Sequence, residues 1–289
     1  MGTMDQHEQS FAQHRPLLFA IAYRMLSSVS EAEDIVQDAW LRWSRVDSSG
    51  VTDAEGYLVR VTTRLAIDHL RSARVRRESY VGPWLPEPLL TRPDVAEDVI
   101  RGESVSTALL LILETLSPLE RAVFVLNEVF GYRHAEIAEA LGRAEPTVRQ
   151  LAHRARKAVE SRNRRYDTDP ALRQRVTERF LAACVGGDVT ALLEVLAPEV
   201  TLVSDGGGLT GAPRKPIHGG ELVARAFVVL SRQQPAGSIA DVVEFNGGPG
   251  VVVRSGGTPV LAVALHLVDG AVRTVHVVSN PRKLTGLAP

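Results

Sequence analysis

Apolar and polar positions alternate at helical spacing through the first 165 residues. Residues 30–46 show the pattern most clearly, because their apolar positions recur three or four residues apart and predict one buried helix face. Those positions are Ile35, Val36, Ala39, Trp40 and Trp43. Ser30 and Glu33 have the spacing of a capping box, which predicts that this helix begins at Ser30. Residues 8–77 as a whole predict three helices.

Residues 132–165 predict a helix-turn-helix. Ile137 and Leu141 are four residues apart, Gly142 interrupts the run, and a second apolar stripe begins at Val148. Pro146 fits the first turn of the second helix, where its missing N–H costs nothing. Ala144 offers no side-chain acceptor for capping that helix. The pattern predicts two short helices, each with one buried stripe.

The pattern of residue types changes after Asp169-Pro170. Residues 171–187, 188–198 and 219–233 predict helices, whereas five later runs are rich in β-branched residues and predict strands. Asn246-Gly247, Gly256-Gly257 and Asp269-Gly270 separate these runs as hairpin turns. We expect an α+β domain in which helices pack on a curved antiparallel sheet.

These patterns divide the chain into four segments. Two are all-helical, at residues 1–78 and 94–165. Residues 79–93 contain four prolines and predict a linker, since proline removes a backbone donor and disfavours helix before it. Residues 170–289 form the α+β domain.

Charge is distributed unevenly, although the 289-residue chain has a net charge of only −1. Residues 140–165 hold eight Arg or Lys against two Asp or Glu, and residues 60–77 hold six against one. Residues 1–59 hold four basic and nine acidic residues. Two basic helices and one acidic surface predict two nucleic-acid contacts and a separate protein partner.

The cationic face of the second helix of the motif supplies the side chains for reading DNA. Arginine and glutamine pair bidentately with guanine and adenine edges in the major groove. The candidate residues are Thr147, Arg149, Gln150, His153, Arg154, Arg156 and Lys157. The structural alternative is a solvated helix face.

The single cysteine, Cys184, excludes an intrachain disulfide and a thiolate metal cluster. No cofactor is expected. The polar, acidic start lacks a signal-peptide core, and no apolar run approaches the roughly 18 residues that span a bilayer. A cytoplasmic location is therefore expected.

Three ordered stretches resemble bacterial sigma factors of the extracytoplasmic-function type. AEDIVQDAWLRW resembles their core-polymerase-binding helix, and GYLVRVTTRLAIDHLRSARVRR resembles the segment that engages the minus-10 promoter element. The stretch beginning LSPLERAVFVLNEVFGYRHAEIAEALG resembles the domain that reads the minus-35 element. The resemblance implies promoter DNA and the β′ clamp region of bacterial RNA polymerase as partners. It leaves open whether an anti-sigma factor exists.

The resemblance also implies roles for individual residues. Asp34, Gln37 and Asp38 would dock on polymerase. The minus-10 residues would be Arg60, Arg64, Asp68, Arg71 and Arg74. Many members have Asn where this chain has Arg64, which implies a different minus-10 preference. For both sets the alternative from the residues alone is a solvated helix face or ion pairs, for instance with Asp68.

The rest of the chain resembles the group of these sigma factors that carries a C-terminal SnoaL-like domain, a cystatin-like cone thought to regulate in cis. Three signatures carry that resemblance: Trp84, Leu85, Pro86, Glu87 and Pro88; Asp205, Gly206, Gly207 and Gly208; Asn280, Pro281, Lys283 and Leu284. Leu209 stands where Lys often follows, and Arg282 where an acidic residue is common. We expect Trp84 to dock on either the C-terminal domain or the minus-35 domain, and the glycines to form a flexible loop that contacts the sigma portion.

Two other functions remain open from the residues. The first is an ordinary helix-turn-helix regulator whose C-terminal domain senses a ligand. The second is an enzyme fused to a DNA-binding module, because some SnoaL-like domains use an Asp or His base. The candidate bases are Asp205, His218, His266 and His276, whose spacing does not compel catalysis, and we expect no enzymatic activity.

Overall fold

The computed structural model describes residues 2–46, 51–91, 106–163 and 169–287, without the side chains of residues 2–6, 73–78 and 163. The described residues form two compact units. A helical unit contains the first three helices and residues 109–162, and an α/β unit contains residues 79–91, 106–108 and the elements from residue 169 onward. No helix within the described ranges is both long and apolar enough to cross a membrane.

The helical unit begins with three helices that pack on one another, α1 (Gly2–Leu26), α2 (Val29–Trp43) and α3 (Ala54–Glu78). The apolar face predicted on α2 is buried, with Trp43 2% exposed, although Trp40 is only half-buried. Burying these stripes provides the main driving force for the unit, at about 25 cal/mol per Å² of apolar surface.

The start of α2 differs from the prediction. Its N-cap is Ser28, whose hydroxyl accepts a hydrogen bond from the Glu31 backbone N–H at 3.2 Å. The predicted box of Ser30 and Glu33 is therefore wrong, because both residues already lie inside the helix. Ser28 and Glu31 have the same three-residue spacing, so the sequence pattern alone offered two registers.

The second half of the helical unit contains shorter elements. They are α4 (Thr107–Leu113), α5 (Pro118–Phe124), a π-helical turn (Val125–Val129), α6 (His134–Leu141) and α7 (Glu145–Asn163). Ser117 caps α5 through a complete capping box with Glu120. The helical structure predicted for residues 94–105 lies outside the described residues.

Three helices cover one face of the sheet in the α/β unit. They are α8 (Pro170–Gly186), α9 (Val189–Val195) and α10 (Gly220–Arg232). Asp169 and Asp188 cap α8 and α9 by accepting from backbone N–H groups. All three predicted helices are confirmed, but α9 ends three residues early because Leu196 begins a strand.

The sheet contains six strands in the order β2-β1-β6-β5-β4-β3. Their bounds are β1 (Leu196–Asp205), β2 (Ile217–His218), β3 (Ile239–Phe245), β4 (Gly248–Ser255), β5 (Thr258–Val268) and β6 (Ala271–Val278). The prediction of a purely antiparallel sheet is wrong, because β1 and β6 pair in parallel. Strands so distant in sequence leave no local signal of their direction, and β2 is too short to show a pattern.

Three hairpins join β3 to β6 at the predicted turns. Asn246 and Gly247 have φ of 48° and 62°, and Asp269 and Gly270 have φ of 52° and 77°. Positive φ at both central residues fits a two-residue hairpin turn and explains the Asn-Gly and Asp-Gly pairs. The predicted turns are confirmed.

The two faces of the sheet carry different residues. Leu265 and Val275 point into the core beneath the helices, so alternation along each strand places their neighbours His266 and His276 on the opposite, outer face. Asp205 pairs with Val278 in register and shares that outer face.

His266 and His276 pack against each other with ring centroids 4.6 Å apart in an edge-on arrangement. Burial lowers the pKa of His276 to about 4, and burial together with the neighbouring imidazole lowers the pKa of His266 well below its ordinary value. Nδ1 of His276 has no hydrogen-bond partner among the described residues. Both rings are therefore neutral at pH 7.

The histidine pair predicts acid sensitivity of the α/β unit. Both folded pKa values lie below the unfolded value of about 6.5, so the unfolded chain binds more protons at mildly acid pH. The stabilisation is present above about pH 6.5 and decreases as pH falls towards 4, by up to about 1.4 kcal/mol per pH unit per group. Urea titrations at pH 7, 6 and 5, monitored by amide hydrogen exchange of β5 and β6, measure how the free energy of unfolding changes with pH.

His276→Gln should flatten the slope, whereas His218→Gln, at an exposed position, should not. Equal slopes in the two variants would contradict this assignment.

Candidate nucleic-acid interface and linker-binding site

Helices α6 and α7 form the predicted helix-turn-helix. Gly142 ends α6 in the left-handed conformation with φ of 61°, and α7 begins three residues later with Pro146 in its first turn. Ile137, Val148 and Ala155 are at most 1% exposed and form the buried stripes. The prediction of two helices with one apolar stripe each is confirmed, but only α6 is short, since α7 extends over 19 residues.

The predicted reading residues are all exposed on α7: Thr147, Arg149, Gln150, His153, Arg154, Arg156 and Lys157. Three of the arginines bind carboxylates within the helical unit. Arg149 contacts Glu145 at 2.6 Å, Arg154 contacts Glu120 at 3.0 Å and Arg156 contacts Glu128 at 2.5 Å.

Exposed ion pairs contribute only about 0–1 kcal/mol, so a phosphate or base edge can displace the carboxylates at little cost. The hydrogen bond from Ser117, together with Arg154, lowers the pKa of Glu120, which keeps it anionic. The turn residue Arg143 is exposed as well. Sequence analysis passed over it because it precedes the apolar stripe of α7, although a basic residue in such a turn is suited to a phosphate contact.

The basic residues of α3 have separate environments. Arg60 stacks its guanidinium over the Tyr57 ring at 5.3 Å, and Arg64 donates from Nε to the carbonyl of Ala140 at 2.8 Å. Arg71 pairs with Asp68 at 3.1 Å, both side chains being exposed. The alternative was that these arginines pair with Asp68 and nearby acids, and among the described side chains it accounts for Arg71. The side chain of Arg74 lies outside the described residues.

A polar strip runs along α2. Asp34, Gln37 and Asp38 are exposed, and Leu41 continues the strip at helical spacing with 45% of its surface exposed. Leu41 belonged neither to the predicted buried face nor to the predicted docking residues. Its place three residues after Asp38 and off the buried face was the available signal.

The segment 79–91 is bound by the α/β unit through Asp205. This carboxylate is fully buried and accepts four hydrogen bonds. The donors are Tyr80 Oη at 2.6 Å, Leu85 N–H at 2.8 Å, Lys283 Nζ at 2.8 Å and Gly207 N–H at 3.1 Å. A buried carboxylate requires such complete compensation, because loss of hydration costs several kcal/mol.

Lys283 holds the segment from the other side. Its ammonium donates to the Leu85 carbonyl at 2.6 Å and lies 3.9 Å from the centre of the Trp84 ring, a cation–π contact. The α/β unit therefore receives Trp84. Tyr80 Oη also accepts from the Asn280 amide at 2.8 Å. Burial and the bond to the Asp205 carboxylate raise the pKa of Tyr80, so it remains a donor.

Gly207 and Gly208 form a tight turn and do not behave as the flexible loop that the sequence suggested. Their φ values are 58° and 74°, and Leu209 N–H donates to the Gly206 carbonyl at 2.9 Å. A Cβ at Gly207 would lie 2.4 Å from the Asn280 amide nitrogen, so only glycine fits without displacement.

The two departures from the family pattern take no part in this cluster. Leu209 is 54% exposed, and Arg282 is exposed.

The remaining signature residues line the same path. Leu85, Pro86, Glu87 and Pro88 are buried, as is Leu284 at 3% exposed, whereas Pro281 is exposed. Asn246 binds the far end of the segment by exchanging two hydrogen bonds with Leu89, at 2.9 and 3.1 Å.

Asp205 lies on β1 and Asn246 lies at the end of β3, so the segment crosses the outer face of the sheet. Sequence analysis missed Tyr80 and Asn246, because neither belongs to a recognised signature.

The candidate bases do not meet in a pocket. Two neighbouring cavities of about 390 and 560 Å³ lie on the inner face, and both are lined by Phe227 and Leu230. Asp205, His266 and His276 lie on the outer face, and His218 is exposed on β2. Burial raises the pKa of the Cys184 thiol in the smaller cavity to about 12, so it is not a nucleophile. No cluster suited to a metal ion occurs among the described residues.

Comparison with known protein families identifies both helical segments. The family described as Sigma-70 region 2 matches residues 11–76, which contain α2 and most of α3. The family described as Sigma-70, region 4 matches residues 106–159, which contain the helix-turn-helix.

Whole-length relatives extend the match into the α/β unit. The chain is 36% identical to the ECF RNA polymerase sigma factor SigJ of Mycobacterium tuberculosis, over 96% of this chain and 92% of that protein. It is 33% identical to the probable ECF sigma factor SigI of the same organism, over 98% of each. The crystal structure of Mycobacterium tuberculosis SigJ superposes with a TM-score of 0.75 at 34% identity, covering 96% of this chain and 98% of that one.

These matches favour a sigma factor over an ordinary helix-turn-helix regulator. The chain belongs to the extracytoplasmic-function family of RNA polymerase sigma factors, in the group with a C-terminal SnoaL-like domain.

Proposed function

We propose that this sigma factor docks on the β′ clamp region of core RNA polymerase through α2, and reads the minus-10 and minus-35 elements through α3 and α7. Its site of action is the cytoplasm, where the polymerase transcribes. The α/β unit regulates it in cis through the segment 79–91. The observation that carries this proposal is the placement of one exposed acidic strip and two exposed basic helix faces on separate helices.

The polymerase contact rests on the exposed strip of α2. Asp34 and Asp38 are one turn apart, and Gln37 lies beside them. Leu41 adds an apolar position at the end of the strip, where desolvation on docking would contribute affinity. Carboxylates of this strip suit a basic partner surface, since charge complementarity guides association.

The minus-10 contact rests on the exposed basic residues of α3. A melted strand needs cationic contacts to its backbone and aromatic or guanidinium planes on which bases stack. Arg60 over the Tyr57 ring supplies such a plane, and Arg64 and Arg71 supply exposed cations on the same helix.

The minus-35 contact rests on α7, because a second helix of this motif inserts its first turns into the major groove. Thr147, Arg149 and Gln150 lie in those turns and are exposed. His153, Arg154 and Lys157 continue along the same helix, where phosphate contacts fix register.

Regulation in cis rests on the way in which the segment 79–91 is held. This segment connects the two family domains in sequence, and its conformation is fixed by Asp205, Lys283 and Asn246 of the α/β unit. A connector bound by a third domain constrains the arrangement of the two promoter-reading domains that it joins.

Removing the acidic strip tests the polymerase contact. Asp34→Asn with Asp38→Asn should weaken binding to core polymerase by about 30-fold or more, the factor that corresponds to roughly 2 kcal/mol of lost charge pairing. Fluorescence anisotropy of labelled full-length chain titrated with core enzyme measures this affinity.

The matched control is Glu33→Gln on the same helix, because Glu33 is already paired with Arg15 at 2.5 Å. Undiminished affinity of the double variant would refute the α2 contact.

Truncating the reading helix tests the minus-35 contact. Arg149→Ala or Gln150→Ala should each reduce discrimination at one base pair by about 1–3 kcal/mol, the usual value of a bidentate base contact. Holoenzyme binding to a promoter library randomised at minus-35 measures this discrimination.

Arg162→Ala at the exposed end of α7 is the control, and it should leave base preference unchanged. If all three variants retain the parental preference, α7 is not the reading helix.

Releasing the linker tests regulation in cis. Lys283→Met leaves the Asp205 carboxylate buried without its cation, which typically costs about 3–5 kcal/mol. We expect residues 79–91 to become protease-sensitive and transcript levels from holoenzyme to change, with core affinity unaltered. The double variant with Asp205→Asn should recover part of the protection, because it removes the uncompensated charge.

Lys215→Met, at an exposed position, is the control for loss of a lysine. Released linker with unchanged transcription would argue against regulation by this route.

A further inference from the structure

The larger of the two cavities in the α/β unit lies between α10 and the sheet. Its volume of about 560 Å³ is within the range of sites that bind small molecules. Its apolar wall is formed by the sheet and the helix together and includes Leu202, Phe227 and Val277. Removal of apolar surface from water favours a ligand with a hydrocarbon or aromatic body in this space.

The mouth of this cavity carries both apolar and cationic side chains. Leu222 and Val229 line the cavity, yet 60% and 51% of their surfaces are exposed. Arg225 follows Leu222 by three residues and precedes Val229 by four, so the three side chains occupy one strip of α10. Of the described residues that line the cavity, Arg225 alone carries a charge. The lining therefore matches a ligand with an apolar body and an anionic head.

The guanidinium of Arg225 is accessible to such a head. It contacts the Glu221 carboxylate at 3.4 Å, and the two side chains are 69% and 74% exposed. An ion pair so exposed is weak, whereas a carboxylate bound to a guanidinium beside apolar surface makes stronger, charge-assisted hydrogen bonds. A carboxylate ligand can thus displace Glu221, and a neutral or cationic ligand gains nothing from Arg225.

The loop of residues 206–213 lies between this cavity and the segment 79–91. Residues 210–213 line the cavity. At the start of the loop, the Gly207 N–H donates to the Asp205 carboxylate, and a Cβ at Gly208 would lie 3.1 Å from the Cβ of Val81. The same loop therefore contacts the space for a ligand and the bound segment.

The ends of two strands provide a second connection. Ser204 lines the cavity and precedes Asp205, and Ser279 lines it and precedes Asn280. The N–H groups of Ser279 and Asn280 both donate to the Asp205 carbonyl, at 2.8 and 3.1 Å. The hydroxyls of Ser279 and Thr210 are hydrogen-bonded at 2.8 Å. Residues that hold the segment are thus direct neighbours of residues that line the cavity.

We propose that the cavity between α10 and the sheet binds an anionic amphiphile, with its carboxylate on Arg225, and that this binding strengthens the hold of the α/β unit on the segment 79–91. The ligand contacts Ser204 and Ser279 in the arrangement that also positions their linker-binding neighbours. It therefore favours the state in which the segment is bound. The effect on transcription rests on the proposed regulation in cis, whereas the binding site does not.

Coupling between the two sites must be reciprocal. If the ligand strengthens binding of the segment by a given factor, release of the segment weakens binding of the ligand by the same factor. Lys283→Met releases the segment, and Lys283 is not among the residues that line the cavity. The affinity of this variant for the ligand therefore tests the coupling without a transcription assay.

Calorimetric titration of the full-length chain with decanoate tests the site. Decanol and decyltrimethylammonium have the same hydrocarbon chain with a neutral or a cationic head. We expect saturable binding of decanoate and at least about tenfold weaker binding of the other two, because they lose the charge-assisted hydrogen bonds to Arg225. Equal affinities for all three would overturn the assignment of an anionic ligand.

Variants of exposed residues on α10 locate the carboxylate without disturbing the core. Arg225→Gln should weaken decanoate binding about tenfold or more, and Glu221→Gln should strengthen it about twofold by removing the competing carboxylate. Arg232→Gln is the matched control, because Arg232 lies on the same helix but lines the smaller cavity. Loss of binding in Arg232→Gln, with Arg225→Gln unaffected, would place the ligand away from the loop 206–213 and overturn the proposal.

Limited proteolysis of the segment 79–91 tests the coupling. Saturating decanoate should slow cleavage within the segment about fivefold or more, and Lys283→Met should weaken decanoate binding by the same factor. Lys215→Met, at an exposed position, should do neither. Binding of decanoate with unchanged cleavage, and with unchanged affinity in Lys283→Met, would contradict the coupling.

Two other occupants of the apolar strip give different results. Phosphatidylglycerol vesicles should not displace decanoate, because the cavity accepts single molecules and not a bilayer. Displacement by vesicles would make a lipid surface the ligand and overturn the cavity site. Sedimentation equilibrium would show a dimer if a second copy covered the strip, and a dimer that fails to bind decanoate would overturn the proposal as well.

Transcription by holoenzyme separates this inference from regulation in cis. If decanoate protects the segment but leaves transcript levels unchanged, regulation in cis fails and the ligand site stands. If Lys283→Met changes transcript levels but decanoate does not bind the parent chain, the ligand site fails and regulation in cis stands.

Discussion

Each of the two units contains a fully buried charged side chain that joins segments distant in sequence. The packing of each unit depends on complete hydrogen bonding of that side chain. Arg121 connects residues about 100 positions apart, and Asp205 connects the segment 79–91 to Lys283. Burying an uncompensated charge costs several kcal/mol, so each can exist only when all of its partners are in place. Satisfying the charge therefore fixes how the segments meet.

The elements that the sequence predicted correctly are those with local signals. The buried stripes of α6 and α7, the break at Gly142 and the turns at Asn246-Gly247 and Asp269-Gly270 all follow from residues within a few positions of one another. The predicted start of α2 was two residues too late, because Ser28 and Ser30 each have a glutamate three residues later. Local patterns cannot decide between two equally spaced caps.

What the sequence could not supply depends on contacts between remote residues. The parallel pairing of β1 with β6, the position of Arg121 and the anchoring of Leu89 by Asn246 join residues 70 or more positions apart. Of the candidate site, exposure of the α2, α3 and α7 residues followed from helical periodicity. Helical periodicity did not predict the contact of Arg64 with Ala140 or that of Tyr80 with Asp205.

Strand alternation places the candidate catalytic bases Asp205, His266 and His276 on the face of the sheet opposite the two cavities. Ser204 and Val277 line the larger cavity, so Asp205 and Val278, one position further along, face away from it. The same step turns His276 outward and leaves Val275 in the core. A carboxylate one residue from a cavity-lining position is placed to bind the linker and is removed from any substrate in the cavity.

Pairing of the α7 arginines reconciles a net charge of −1 with DNA binding. Arg149, Arg154 and Arg156 each contact a glutamate of the helical unit, so the free chain presents a reading helix whose field is partly cancelled. In the proposed promoter complex, phosphates or base edges would replace these carboxylates, and each substitution would exchange one weak surface pair for another. Net affinity for random duplex would then be small, and specificity would rely on the base contacts proposed for α7. A sigma factor that works only as part of a holoenzyme gains from this balance, since tight binding to bulk DNA would withdraw it from the polymerase.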